Sequence, residues 1–247
     1  MNSSNPMLKD EVYTRGQVLT EMPMTINGTL NKLFLLSCIF VFAAAATWYK
    51  FSLGHIDFIN IASIIGLIVA FILGIVIPFF PKTSPYLAPI YAFSEGVVLA
   101  YISCFFEAMY PGIVIQAVSI TMLTLFVMFF LYRSNFIRAT ETFKKVLFVS
   151  TLSICIFYLV SLIAIFLFKV NIPYFSNSFS PLAIVVNIVI AVIAALNLII
   201  DFDFIERGVN RLAPKYFEWY GAFGLIVTLF WLYLEILHLL ARASSRK

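Results

Sequence analysis

The sequence predicts an all-α integral membrane protein, a bundle of seven transmembrane helices. Of its 247 residues, 62% are hydrophobic and only 11% are charged, whereas a soluble domain is roughly half apolar and a quarter charged. Such a chain lacks the polar side chains that would cover its apolar surface in water. Its apolar residues also recur in runs close to the roughly 20 residues that a helix needs to cross a bilayer.

Seven apolar runs are long enough, or nearly so, to cross a bilayer, and proline, glycine or charged residues separate them. Pro111 opens the fourth run at a first helical turn, where its missing N–H costs nothing. Pro214 precedes the seventh run. The predicted crossings span about 33–49, 56–80, 86–106, 111–132, 146–168, 181–206 and 217–240.

Lysine and arginine residues in the short loops favour an N-terminus on the cytoplasmic side. With that orientation the cytoplasmic side carries Lys9, Arg15, Lys32, Lys82, Arg133, Arg138, Lys144, Lys145, Arg207, Arg211 and Lys215, and the opposite side carries Lys50, Lys169, Arg242, Arg246 and Lys247. Most of the second group belongs to the C-terminal end. A six-crossing topology with a re-entrant last segment therefore stays open.

The first 30 residues are mixed polar and have no apolar core or cleavage site, so no secretory signal is evident. The predicted organisation is a polar cytoplasmic N-terminal segment (1–30), one transmembrane domain (31–242) and a short basic tail (243–247). The N-terminal segment is the natural contact region for a membrane-protein partner. No nucleic-acid partner and no cofactor are predicted. No HExxH, GxSxG, CxxC or GxGD motif indicates an intramembrane enzyme.

Polar residues inside the sixth run are the first candidates for function. A charged side chain in a bilayer costs at least ~2.5–3.5 kcal/mol on insertion scales, so a carboxylate there predicts a function or a partner. At 100° per residue, Asn187, Asn197 and Asp201 form one polar stripe. This stripe is expected to face the interior of the bundle.

Two further acids differ in their expected surroundings. Asp203 lies about 200° round the helix from Asp201, close to the helix end, where we expect it to cap the helix or to pair with Arg207 or Arg211. Glu95 in the third run is flanked by small residues and is expected to face the bundle, where it is a candidate for a polar network or an ion route.

The seventh run carries a small and polar stripe of its own. Small residues on one stripe let helices approach closely in lipid, so an acid on that stripe is aimed at protein. A histidine near the same face is a further candidate titrating group. The stripe within about 40° of one direction is Gly221, Gly224, Thr228, Trp231 and Glu235, with His238 about 60° away.

A contact between Asp201 and Glu235 would have chemical consequences. Two carboxyls in a dry site share a proton and titrate as a pair, and when ionised they offer transient hard oxygen ligands to a cation such as Ca²⁺. The contact requires the sixth helix to continue toward Arg211 and residues 215–220 to lie in the membrane interface. Asp201 would then lie roughly 15 Å and Glu235 roughly 21 Å below the membrane surface. In the alternative, each acid only hydrogen-bonds a neighbouring helix and stabilises the bundle.

Several stretches resemble the Bax inhibitor-1 (transmembrane BAX inhibitor motif) family, and a bacterial YccA-like branch in particular. They are MTINGTLNKLFLL, PYLAPIYAFSEGVVLAYISCFFEAMYPGIVIQA, ALNLIIDFDFIERG and WLYLEILHLL. The resemblance implies seven helices with the last near the centre, and a pH-sensitive calcium leak. In that family an Asp of helix six and an Asp of helix seven share a proton as a latch. Asp201 and Glu235 stand at those positions, the second in LYLE rather than LYLD and after a longer connecting segment.

Two functions follow as expectations. The first is a pH-sensitive calcium leak channel or cation transporter, gated by the Asp201–Glu235 pair, with Ca²⁺ as the transported ion. The alternative is a non-conducting membrane regulator or interaction protein, for example a modulator of a membrane protease. In either case the expected location is a bacterial inner membrane, with the N-terminus in the cytoplasm.

Overall fold

A computed structural model describes residues 23–169 and 181–245. Within these ranges the chain forms seven long helices and no strand, and all seven are long and apolar enough to cross a membrane. The predicted all-α class and the number of crossings are therefore confirmed. The helices are α1 (Ile26–Ser52), α2 (Ile56–Phe79), α3 (Ser84–Met109), α4 (Ile113–Arg133), α5 (Glu141–Phe168), α6 (Pro181–Asn210) and α7 (Phe217–Ser244), with a 3₁₀ turn (Pro81–Thr83) before α3.

Several helices extend beyond the predicted apolar runs. α6 continues to Asn210 and α7 to Ser244, and α1 begins inside the segment predicted to be polar. Thr25 makes this early start of α1 favourable because its side chain accepts a hydrogen bond from the Gly28 N–H, as a helix N-cap does. The rest of the predicted N-terminal segment, residues 1–22, lies outside the described residues, as do residues 246–247.

The N-terminus of α1 is attached to the start of α7. The Glu218 carboxylate accepts hydrogen bonds from the Thr25 backbone N–H at 3.1 Å and from its hydroxyl at 3.0 Å. An acid at a helix N-terminus is favourable because it faces the positive end of the helix dipole. The Met24 N–H also donates to the Ala213 carbonyl at 2.7 Å, so the first and last helices meet at this end of the bundle.

α7 occupies the centre of the bundle, as the family resemblance implies. It packs against α1, α3, α4 and α6, and its Leu225, Leu232 and Leu237 are almost fully buried in the main apolar core. A re-entrant last segment would need a break within this helix, and α7 is continuous over 28 residues. At ~1.5 Å per residue that length exceeds the thickness of a bilayer core, so the structure favours a seventh crossing.

Candidate functional site

Asp201 lies in a cleft between α6 and α2 whose floor is formed by α7. The cleft has a volume of about 330 Å³, and Gly74 and Pro78 of α2 lie on its wall with Gly224 and Thr228 of α7. The Thr228 hydroxyl is beside the Asp201 carboxyl and also lies 3.2 Å from the Gly224 carbonyl oxygen. The second carboxyl oxygen of Asp201, Oδ2, is buried and has no hydrogen-bond partner among the described residues.

Glycine residues of α7 allow α6 to approach at this level. A Cβ atom at Gly221 would lie only 3.0 Å from Cγ1 of Ile205, and one at Gly224 would lie 3.8 Å from Oδ1 of Asp201. A larger residue at either position would narrow the space beside the carboxyl. Gly221 therefore permits the close approach of α6 and α7 next to Asp201, as helix packing in lipid favours.

Glu235 lies in a different and fully satisfied environment. Its Oε2 accepts a hydrogen bond from the Asn187 amide at 2.6 Å, and its Oε1 accepts from the Trp231 indole N–H at 3.2 Å and from the Tyr158 hydroxyl. The opposite side of the Asn187 amide accepts a hydrogen bond from the Arg242 guanidinium at 2.9 Å. Asn187 thus links a buried acid to a buried base, and we name these five residues the Glu235 network.

Sequence reasoning missed the role of Arg242, which it counted as a charge outside the membrane. The Arg242 side chain is only 6% exposed and also donates to the Ala183 carbonyl at 3.1 Å. The available signal was its spacing, because seven residues after Glu235 is two helical turns and hence the same face of α7. A buried guanidinium needs an acid or several acceptors nearby, and this network supplies both.

The structure does not bring Asp201 and Glu235 into contact. Asp201 lies at the level of Thr228, which precedes Glu235 by seven residues, or about 10.5 Å of helix rise. The extension of α6 that the contact required is present, but Asn187 rather than Asp201 lies opposite Glu235. The predicted pair is therefore corrected to two separate sites, and the transient Ca²⁺ ligands predicted in both acids do not share one site.

Two other predicted residues of α6, Asp203 and Asn197, make polar contacts with α5. Asp203 pairs with Arg207, Nε to Oδ2 at 2.7 Å, as expected from the sequence, and also with Lys144 of α5 at 3.0 Å. Asn197 donates to the Thr151 hydroxyl of α5 at 3.0 Å. Asn197 thus faces α5 rather than Asp201, although both lie on the stripe predicted from periodicity.

Glu95 lies on α3, and His238 lies one helical turn after Glu235 on α7. Glu95 is half-buried on α3, one turn from Tyr91. The His238 ring packs edge-on against Phe106 of α3, with 5.5 Å between ring centroids. Their predicted roles in an ion route or in pH sensing stay predictions.

A separate, polar cavity lies where α4 connects to α5. It measures about 290 Å³, and Asp203 and Glu206 line it together with Arg133 and Arg138. Tyr132 donates a hydrogen bond to Glu206. Across residues 23–169 and 181–245, no group of three or more His, Cys, Asp or Glu side chains could hold a metal ion. Within these ranges, a cation would therefore have fewer than three such side chains as ligands.

Comparison with known proteins gives one match over nearly the whole chain. The family model described as Bax inhibitor 1 like matches residues 5–245. No curated protein and no solved structure matches the chain. The family match covers both Asp201 and Glu235.

Proposed function

Because the chain belongs to the Bax inhibitor 1 like family, we propose that it is a pH-sensitive leak channel or transporter for cations, Ca²⁺ among them. The observation that carries the proposal is the buried Oδ2 of Asp201, which has no hydrogen-bond partner in the described part of the chain and belongs to a residue that lines the cleft. An unpaired buried carboxylate oxygen is costly. Either a proton or a cation can satisfy it, and the two compete for the same atom.

This competition defines the expected sign of the pH dependence. When Asp201 is ionised it attracts a cation into the cleft, and when it is protonated that attraction is lost. Flux should therefore fall as the pH is lowered. In this proposal the two acids lie at different heights along the bundle and do not share a proton. Asp201 faces the ion, and Glu235 links α5, α6 and α7.

The contacts of the Glu235 network favour a structural role for Glu235 in gating. The Glu235 carboxylate accepts hydrogen bonds from α5, α6 and its own helix, and its charge faces that of Arg242 through Asn187. Protonation would weaken these charge-assisted bonds. We infer that such weakening loosens α5 against α6 and α7.

The distribution of charge supports an orientation with the N-terminus in the cytoplasm of a bacterium and the helices in its cell membrane. Arg242 is buried in the bundle, so it no longer counts among the loop charges on the opposite side. When Arg242 is left out of the loop charges, the excess of lysine and arginine residues on the proposed cytoplasmic side becomes larger. Cysteine-accessibility labelling at Gly54 and Asn135 would test this orientation, and labelling of Gly54 from the cytoplasm would contradict it.

A flux measurement in proteoliposomes tests the function directly. Purified protein is reconstituted around a Ca²⁺ indicator, and Ca²⁺ entry is measured between pH 5.5 and 8. We expect entry to fall toward acidic pH, Asp201→Asn to abolish that dependence, and the exposed acid variant Asp57→Asn to behave as the wild type. Entry that is absent at every pH, or that keeps its pH dependence in Asp201→Asn, would contradict the proposal.

A second candidate is a non-conducting membrane regulator that binds a partner through its N-terminal segment. The hydrogen bond from Met24 to Ala213 favours it, because it fixes where that segment joins the bundle, at the α6–α7 connection. Absence of flux from the pure protein, together with a membrane protein that co-purifies from native membranes, would support this alternative over conduction.

A further inference from the structure

An apolar groove lies between α1 and α4 at the end of the bundle where α1 begins. It has a volume of about 530 Å³, which is within the range of sites that hold small molecules. α1 and α4 do not pack closely against each other in the described part of the chain, so the groove between them is open to a ligand. Leu30 and Leu33 of α1 line it, together with Leu125 and Phe129 of α4 and Leu225 of α7.

The polar cavity at the α4–α5 connection adjoins this groove. Tyr132, Arg133 and Glu206 line both spaces. Tyr132 and Arg133 are the last two residues of α4, and Glu206 lies one turn before the end of α6 at Asn210. The combined space is therefore apolar along the helices and polar at their ends. An amphiphile with a hydrocarbon chain and a charged headgroup matches this arrangement.

The charged side chains of the polar cavity leave both signs of charge available to a ligand. Arg133 and Arg138 line the cavity, and neither forms an ion pair with another described residue. Asp203 is already paired with two cationic side chains. Glu206 accepts a hydrogen bond from a neutral phenol and has no ion pair within the same ranges. Two guanidinium groups and one carboxylate thus line one space without neutralising one another.

We propose that the groove and the polar cavity together bind one molecule of phosphatidylethanolamine. Its phosphate contacts Arg133 and Arg138, because arginine binds phosphate through paired hydrogen bonds and basic pockets between transmembrane helices bind lipid headgroups. Its ammonium group donates to Glu206. One acyl chain lies in the groove toward Leu125, which is eight residues, or about 12 Å of helix rise, from Arg133.

The acid in the cavity distinguishes this lipid from the other common phospholipids. Phosphatidylglycerol has a phosphate but no cation, so it would leave Glu206 beside a second negative charge. Phosphatidylcholine has a cation without an N–H, so it cannot donate a hydrogen bond to the carboxylate. The site lies apart from the Asp201 cleft, and none of its residues line that cleft. Lipid binding there does not depend on conduction.

Native mass spectrometry tests the headgroup preference. The full-length chain is released from detergent micelles that contain equal amounts of phosphatidylethanolamine, phosphatidylglycerol and phosphatidylcholine with identical acyl chains. We expect one phosphatidylethanolamine to be retained in preference to the other two lipids. Glu206→Gln should reduce its preference over phosphatidylglycerol by roughly twofold to fivefold, the effect of one ion pair near the surface. Asp57→Asn is the control, because Asp57 lines neither space.

A second variant tests the contact with the phosphate. Arg133→Gln should lower the retention of phosphatidylethanolamine and of phosphatidylglycerol alike, by roughly fivefold, because both lipids carry the phosphate. Arg211→Gln removes a base that lines neither the groove nor the cavity and should leave retention unchanged.

The acyl-chain part of the site is tested by filling the groove. Leu125→Trp places a larger side chain in it and should lower the retention of phosphatidylethanolamine severalfold. Leu123→Trp is the matched control, because Leu123 lies on the same helix, is 64% exposed and does not line the groove. The headgroup variants do not depend on folding of the tryptophan variants.

Several outcomes would overturn the site. Equal retention of the three lipids by the wild type, or an unchanged preference in Glu206→Gln, would remove the ethanolamine assignment, and preferential retention of phosphatidylglycerol would assign the cavity to an anionic lipid instead. Equal retention in Leu125→Trp and Leu123→Trp would remove the groove. A dimer that Leu125→Trp dissociates would assign the groove to a second copy of the chain.

Discussion

α7 and α5 have the same length of 28 residues, but they differ in how much of their surface is buried in the bundle. About 56% of the most apolar window of α7 is buried, against 12% for α5. α7 packs against four helices, whereas α5 packs mainly against α6. One helix is therefore fixed by packing on all sides, and the other presents most of its surface to lipid.

Polar side chains, more than apolar packing, attach α5 to the rest of the bundle. Apolar packing gains nothing from water exclusion inside a bilayer, because lipid tails are as apolar as leucine. Hydrogen bonds and ion pairs then determine where a peripheral helix attaches. The α5 residues that make these contacts are two helical turns apart and lie on one stripe: Lys144 pairs with Asp203, Thr151 with Asn197, and Tyr158 with Glu235. Of the two helices, α5 has fewer packed neighbours, and two of the three residues just named as its partners are carboxylates.

The largest expected effect comes from removing the buried base of α7. Arg242→Leu leaves Asn187 and the Ala183 carbonyl without their guanidinium donor, and breaking a buried charge arrangement costs about 3–5 kcal/mol. The free energy of unfolding in detergent measures this loss, with the exposed Lys50→Leu as control. A loss no larger than that of Lys50→Leu would show that the Glu235 network does not stabilise α7.

A matched pair of leucine truncations compares packing on the two helices. Leu232 of α7 is 1% exposed and Leu159 of α5 is 53% exposed. We expect Leu232→Ala to lower the free energy of unfolding by about 2–4 kcal/mol through lost contacts and a cavity, and Leu159→Ala to stay within about 0.5 kcal/mol of the wild type. Equal losses in the two variants would remove the distinction between a packed and a peripheral helix.

Removing a single polar contact of α5 is expected to lower stability less than the truncation of Leu232. Tyr158→Phe removes one hydroxyl and should cost about 0.5–1.5 kcal/mol. Hydrogen exchange followed by mass spectrometry should show faster exchange within α5 and unchanged exchange in α7. Ser119→Ala, whose hydroxyl bonds only within its own helix, is the control. Faster exchange in α7, or none in α5, would contradict the view that polar contacts attach α5.

Hydropathy and length were sufficient to predict the helices, because a crossing of the bilayer leaves few alternatives for an apolar run. They did not predict the helix ends. The first turn of α1 is polar, and its stability depends on Thr25 and on Glu218, which is 193 positions away in the chain. Such a contact cannot be read from a local pattern.

The candidate site was predicted in part, and the error has a physical cause. Helical periodicity indicates which face a residue occupies, so the inward positions of Asn187, Asp201 and Glu235 could be predicted. Periodicity does not give the level at which two helices meet. That level depends on packing between α6 and α7, such as Gly221 against Ile205, and it places Asn187 opposite Glu235.

The carboxylate of Glu218 on the N-terminus of α1 has a consequence for biosynthesis. Chains are made from the N-terminus, so α1 enters the membrane long before the ribosome has synthesised residue 218. Until then the Thr25 N–H and hydroxyl lack the acceptor that they have in the finished protein. The opening turn of the first helix is therefore completed by the last one, and a chain truncated before α7 would leave that turn without its acceptor.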